Sequence, residues 1–167
     1  IMVVDTIRPV IICNPDITLY VHKDSCGKTH TVTPPLLTTS DNCGFRITSD
    51  KPATANFPSG NTTILWTVRD SSGNSATCSQ QIIVRDTIKP LVITKNITAY
   101  LSSFGNLVVT PSMVDSASSD NCGIDTMYVS KATYNCSDTG VRNAVLFIKD
   151  VNGNLASAPY SITIKDT

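Results

Sequence analysis

The sequence predicts an all-β protein built as two tandem domains. Three observations carry that expectation: phrases that return in one order about 80 residues apart, apolar residues that alternate with polar ones, and a composition poor in helix formers. Asp5-Thr6-Ile7-Arg8-Pro9 returns as Asp86-Thr87-Ile88-Lys89-Pro90. Asp41-Asn42-Cys43-Gly44 returns as Asp120-Asn121-Cys122-Gly123, and Asp70-Ser71-Ser72-Gly73-Asn74 as Asp150-Val151-Asn152-Gly153-Asn154, at spacings of 81, 79 and 80 residues. Asp166-Thr167 stands where a third copy would begin. Three motifs in one order at one spacing divide the chain into domains 1–85 and 86–167, read as an excerpt of a longer repeat array.

The elements follow in order. Ile17 to Val21, Lys28 to Thr33 and Phe45 to Thr48 alternate as early strands of the first copy. Ile64, Trp66 and Val68 then alternate with Leu65, Thr67 and Arg69, which puts Trp66 on the core face; Ala144, Leu146 and Ile148 hold the same positions in the second copy. After the Asp-x-x-Gly-Asn loop, Ala156, Ala158, Tyr160, Ile162 and Ile164 form one face of a last strand. Two such strands around that loop make a hairpin, because glycine supplies positive φ and Asp or Asn bonds the turn backbone. No segment of useful length has a 3.6-residue period. Nine prolines and short strands parted by turn signals predict two immunoglobulin-like antiparallel β-sandwiches of about seven strands each.

Composition narrows the function classes. Thirteen basic residues balance thirteen acidic ones, against a nucleic-acid or anionic-membrane binder, which needs a cationic surplus. No apolar run approaches the ~20 residues of a membrane span, and no segment resembles a signal peptide. Six cysteines beside roughly a quarter Ser and Thr fit an exported β protein.

The order Asp-Thr-x-x-Pro, Asp-Asn-Cys-Gly, Phe57-Pro58-Ser59-Gly60, Trp66-Thr67-Val68-Arg69-Asp70-x-x-Gly73-Asn74 and Cys78 resembles the hyalin repeat (HYR) family. The first copy matches along its whole length, with four cysteines at family-like positions. The second is a divergent relative that lacks the Phe-Pro-x-Gly turn and the first and last of those cysteines. The resemblance implies an extracellular, cell-surface immunoglobulin-like module without catalysis, used in adhesion; such arrays occur in animal matrix proteins and in very large bacterial surface proteins.

Six thiols allow 15 pairings. Cys13 aligns with Thr94 and Cys78 with Ala158, so the second copy lacks both together, as partners would be lost. First and last strands of such a sandwich can lie side by side, bringing the two into reach. Cys26 aligns with Gly105, Cys43 is kept as Cys122, and the second copy gains Cys136. The expected bridges are therefore Cys13–Cys78, Cys26–Cys43 and Cys122–Cys136. A zinc site would want close Cys-x-x-Cys pairs or accompanying histidines, and neither is present.

The recurring acids are the candidate ligands. In such a topology the N-terminal linker, the loop between the second and third strands and the last hairpin loop share one pole. That gathers Asp5, Asp41, Asn42, Asp70 and Asn74 in the first copy, and Asp86, Asp120, Asn121, Asp150 and Asn154 in the second. Carboxylates and amide oxygens from three loops are the ligand type of calcium, the one candidate cofactor. Two bland readings compete: each Asp caps its own turn, or the neighbouring Arg8, Arg69, Lys89 and Lys149 supply counter-charge.

Catalysis has little support. His22 and His30 lie in polar stretches with no nucleophile motif, phosphate loop or His-Glu-x-x-His helix nearby. Asparagine sequons occur at Asn61, Asn96 and Asn135, and Thr6, Thr87, Ser116 and Thr126 sit in triplets resembling a bacterial O-glycosylation sequence. The expected function is a non-enzymatic stalk segment of a long repeat-built adhesin, disulfide-stabilised, with neighbouring repeats of the same chain, surface glycans or proteins as partners. The alternative is a carbohydrate-binding or other ligand-binding module attached to an extracellular enzyme, for which Tyr20, Tyr100, Tyr128 and Tyr134 are the aromatic candidates.

Overall fold

The computed structural model describes residues 4–166; Thr167, at the start of the partial third phrase, lies outside them. The chain divides into two compact units, Ile1–Asp86 and Thr87–Thr167. In the first unit the strands are β1 (Val10–Ile11), β2 (Ile17–Tyr20), β3 (Gly27–Thr31), β4 (Thr39–Ser40), β5 (Phe45–Ser49), β6 (Thr54–Pro58), β7 (Gly60–Asp70) and β8 (Ser75–Arg85). The main sheet runs β2-β8-β7-β5, and two antiparallel pairs, β3–β6 and β1–β4, complete the unit. Strand β2 is parallel to β8, pairing Ile17 with Ile82, so the first long strand does lie beside the last.

Alternation along β7 decides which face is buried. Ile64, Trp66 and Val68 are buried, while Leu65 between them and Thr63 and Arg69 to either side are exposed and Thr67 is half-buried. Phe57 from β6 and Val32 beyond β3 close over that face with Ile82 and Val84 from β8. Gln80 is an exception to apolar burial at 1 % exposure. Its Oε1 accepts from Trp66 Nε1 at 3.3 Å and its Nε2 donates to the Pro15 carbonyl at 2.7 Å, so the buried indole and amide satisfy each other.

The second unit contains β9 (Ile97–Tyr100), β10 (Asn106–Val108), the one-turn helix α1 (Pro111–Val114), β11 (Ile124–Val129), β12 (Thr133–Asn135), β13 (Gly140–Asp150) and β14 (Leu155–Lys165). Its main sheet, β11-β13-β14-β9, repeats the first unit's topology, with β9 parallel to β14. Tyr160, Ile162 and Ile164 are buried on β14 as the alternation predicts. The fold is all-β, with eight described strands in one unit and six in the other rather than seven in each. The difference is local: the β1–β4 ladder shrinks in the second unit to single bridges, Leu91 to Ser119 and Thr94 to Asp115.

Candidate functional site

The β7–β8 turn positions the first acid. Gly73 at φ +96° lets the chain reverse, and Asp70 then accepts from the Asn74 backbone at 2.8 Å through Oδ1 and from Asn74 Nδ2 at 2.7 Å through Oδ2. The same Asn74 amide donates to the carbonyls of Asp5 and Ile7, each at 3.1 Å, fastening the N-terminal segment to the hairpin loop. Asp5 caps its own segment through Oδ1, accepting from Ile7 N at 3.0 Å, and Asp41 caps the loop before β5 through Oδ2, accepting from Cys43 N at 2.8 Å. Asn42 is exposed and points its Nδ2 to Cys43 Sγ at 3.2 Å.

These three loops bring Asp5, Asp41 and Asp70 together, each offering an oxygen within 4.8 Å of the others. Asp70 is only 7 % exposed. Asp5 Oδ2 and Asp41 Oδ1 are shielded from solvent and meet no donor in hydrogen-bond geometry. No lysine or arginine among the described residues forms an ion pair with any of the three, so Arg8 and Arg69 do not supply the counter-charge. Hydrogen bonding from the Ile7 amide holds the Asp5 carboxyl below its ordinary range, and the adjoining Asp5 carboxylate pushes the Cys43 thiol up.

The second unit divides its oxygens in the same way. Asp120 Oδ2 accepts from Cys122 N at 2.8 Å and Gly123 N at 3.1 Å, while Asp120 Oδ1 is buried with no donor. Asp150, 1 % exposed, accepts from the amides of Asn152 and Asn154 through Oδ1 and from Asn154 Nδ2 through Oδ2. Asn121 Nδ2 faces Cys122 Sγ at 3.5 Å, and Asp86, the last residue of the first unit, is 8 % exposed.

Cys13 and Cys78 are joined, with Cα atoms 5.6 Å apart. The other two expected bridges are corrected. Cys43 and Cys136 are free, exposed thiols, and Cys26 and Cys122 are each disulfide-bonded. The reason is strand length. Cys26 lies at the start of β7, its carbonyl accepting from Ser59 N, whereas Cys43 lies at the end, its carbonyl accepting from Ser71 Oγ. Eleven residues at ~3.4 Å each hold them roughly 34 Å apart, against the 4.4–6.8 Å between Cα atoms of a bridge. Cys122 and Cys136 stand at opposite ends of β13 in the same manner: Gly123, next to Cys122, accepts from Val151 N, and Cys136 accepts from Thr139 N.

Sequence reasoning missed what Cys136 does instead. Gly105 leaves room for its thiol: a Cβ there would sit 2.7 Å from Cys136 Sγ, so the second unit places a cysteine where the first has Cys26. It also missed Asp138, buried beside Lys131 Nζ at 2.7 Å and Arg142 Nε at 3.8 Å. The spacing Asn135 to Asp138, a capping box in the structure, was the legible signal.

Thr6, Thr87, Ser116 and Thr126 are exposed, as are Asn61, Asn96 and Asn135. His22 is exposed beside Asp24, and His30 is half-buried on β3. Tyr20, Tyr100 and Tyr128 are exposed, Tyr128 stacked on Phe147 at 4.9 Å, but Tyr134 is core at 2 % exposure and leaves the set of candidate sugar contacts.

Residues 4–84 match the family model described as HYR domain. No curated protein matches the chain in sequence. Among solved structures, the human mucin-like protocadherin EC1-2 is similar at 11 % identity and TM-score 0.44, covering 91 % of this chain and 97 % of that one. Human protocadherin-24 EC1-2 is similar at 11 % identity and TM-score 0.37, covering 97 % and 100 %. The endo-fucoidan hydrolase MfFcnA9 of glycoside hydrolase family 107 is similar at 12 % identity and TM-score 0.30, covering 93 % of this chain and 34 % of the enzyme.

Proposed function

We propose, from the match of residues 4–84 to the HYR domain model, that the chain is a non-enzymatic spacer of an extracellular, repeat-built adhesion protein, with the second unit a divergent copy of the first. The observation that supports this most directly is the duplication of one sheet topology, β2-β8-β7-β5 and β11-β13-β14-β9, on a sequence whose Asp-Thr-x-x-Pro phrase precedes each copy. Proline fixes φ in that phrase and restricts hinge motion. Each unit is a small sandwich that carries tension along its long paired strands, and in the first unit a covalent bridge ties β8 to the segment before β2. The chain's disulfides support an oxidising compartment, in keeping with a module at the cell surface or beyond it.

Two experiments test the reading. In single-molecule pulling of the 167-residue chain, reduction should lengthen the extension on unfolding, because residues 13–78 are closed into a loop until the bridge opens. Equal extension before and after reduction would contradict the mechanical role. On a glycan array the chain should give no saturable signal; saturable binding lost on Tyr20→Ala or Tyr100→Ala would replace the spacer reading with the carbohydrate-binding one.

A further inference from the structure

We propose that Asp5, Asp41 and Asp70 of the first unit form a calcium site. Their three carboxylates converge within 4.8 Å, with no lysine or arginine among the described residues paired to any of them. Turn capping accounts for only part of the arrangement. Asp5 spends Oδ1 on the Ile7 amide and Asp41 spends Oδ2 on the Cys43 amide, which leaves Asp5 Oδ2 and Asp41 Oδ1 buried without a donor. Buried polar atoms in folded proteins are almost always satisfied, and an anionic oxygen without a partner is the most costly exception. The Cys43 thiol and the Asn42 amide stand close enough to the Asp5 carboxylate to help hold its pKa down, but both are weak neighbours, and neither meets the distance and angle of a full hydrogen bond at Oδ2. A cation answers both the orphaned oxygens and the uncompensated charge.

The same division recurs at Asp120, where Oδ2 holds the Cys122 and Gly123 amides and Oδ1 is buried without a donor, so it is a property of the motif rather than of one loop. The ligand chemistry selects a hard ion: all-oxygen donors, no imidazole, since His22 faces Asp24 and His30 lies on β3. Calcium accepts a flexible, irregular oxygen shell of the kind three separate loops supply, whereas magnesium demands near-octahedral geometry and dehydrates reluctantly. Water and loop carbonyls would complete six to eight ligands. The ion would clamp the N-terminal segment, the loop before β5 and the β7–β8 turn, a site that stands whether or not the spacer reading does.

The test is thermal unfolding of the whole chain followed by Trp66 fluorescence, which reports the first unit alone because Trp66 is the chain's one tryptophan. Calcium well above its dissociation constant should raise the midpoint by at least about 5 °C over EDTA, and magnesium should do so much less. Asp41→Asn and Asp5→Asn each keep the oxygen that caps the turn. Both should raise the midpoint in EDTA, where one of three repelling charges is gone, and both should abolish most of the calcium shift. Capping alone predicts the opposite, no calcium shift and no gain in EDTA. A wild-type midpoint unchanged by calcium, or a shift that survives both substitutions, overturns the site; the wild-type comparison requires neither variant to fold.

Discussion

Removing the Cys13–Cys78 bridge tests how much of the first unit's stability is topological. The two residues are 65 apart in sequence, and closing a loop of that length removes unfolded-state entropy equivalent to about 4 kcal/mol at 25 °C. A unit of this size has a total stability of roughly 4–13 kcal/mol, so Cys13→Ala with Cys78→Ala takes between a third and all of it. The assay is urea unfolding of the whole chain without reductant, read by Trp66, which is 2 % exposed and lies directly across β7–β8 from Cys78. With a urea slope near the low end of the usual range for small proteins, the midpoint should fall by roughly 2–4 M. The transition of the second unit, read by its tyrosines, should stay in place, because that unit has Thr94 and Ala158 at the matching positions. A fall under about 0.5 M, or an equal fall in both units, would refute the loop-closure reasoning.

Four further outcomes follow from particular side chains. Alkylation without reductant should label Cys43 and Cys136 and spare the other four cysteines; a tryptic fragment joining Cys26 to Cys43 would contradict the strand-length argument. At alkylation pH near 8, Cys43 should react more slowly than Cys136, and Asp5→Asn should close that gap, since the Asp5 carboxylate raises the Cys43 thiol. Asp138 is held below the ordinary carboxylate range by the Lys131 ammonium and the Asn135 amide, so its contribution is present above the unfolded value near 4 and fades as pH falls through the lower folded one. Acid unfolding of the second unit should therefore be shallower in Asp138→Asn, and an unchanged profile would remove Asp138 from the account. Tyr160 is pushed up to about 12, chiefly by burial, so the stability tied to its neutral hydroxyl is intact below the unfolded value near 10 and lost from there to about 12. Tyr160→Phe should abolish that alkaline component, measured by circular dichroism against tyrosinate absorbance at 295 nm.

The sequence reading reached furthest where periodicity and burial coincide. Trp66 and the Ile162–Ile164 face were legible because each side chain's fate depends only on its parity along a strand. The convergence of Asp5, Asp41 and Asp70 was legible because the topology fixes which loops share a pole, and the repeats marked those loops. Reading failed where distance along a strand mattered. Treating Cys26 and Cys43 as neighbours ignored the eleven residues of β7 that separate their loops, a length that only the ladder to β8 makes rigid. Gln80 was invisible for a different reason: a polar residue on an apolar face reads as an error until its two partners, the Trp66 indole and the Pro15 carbonyl, are placed on either side. The division of oxygens within each aspartate likewise needs atomic geometry, since composition cannot distinguish a carboxylate used once from one used twice.

The two units solve the problem of a small core differently, and the difference gives the divergence of the second copy a physical meaning. Among the described residues the first buries seven apolar side chains, Val32, Phe57, Ile64, Trp66, Val68, Ile82 and Val84, and adds the Cys13–Cys78 bridge. In the second the cluster grows to eleven, with Leu101, Val109, Val114 and Tyr134 among the additions, and the bridge is gone. Where Cys13 would stand, Thr94 donates Oγ1 to the Pro159 carbonyl at 2.7 Å, next to the Ala158 that replaces Cys78. A single hydrogen bond contributes about 1 kcal/mol against roughly 4 from the covalent closure, so it cannot take over that role by itself. Each well-buried aliphatic or aromatic side chain contributes ~1.5–3 kcal/mol, and two or three additional ones cover the deficit. Transplanting the solution in one direction should therefore succeed only with its core: Thr94→Cys with Ala158→Cys adds stability to the second unit, whereas Cys13→Thr with Cys78→Ala in the first unit, without a larger core, leaves it close to unfolding. Equal stability of that variant and the wild type in urea would show that the hydrogen bond suffices and that core size does not set the need for the bridge.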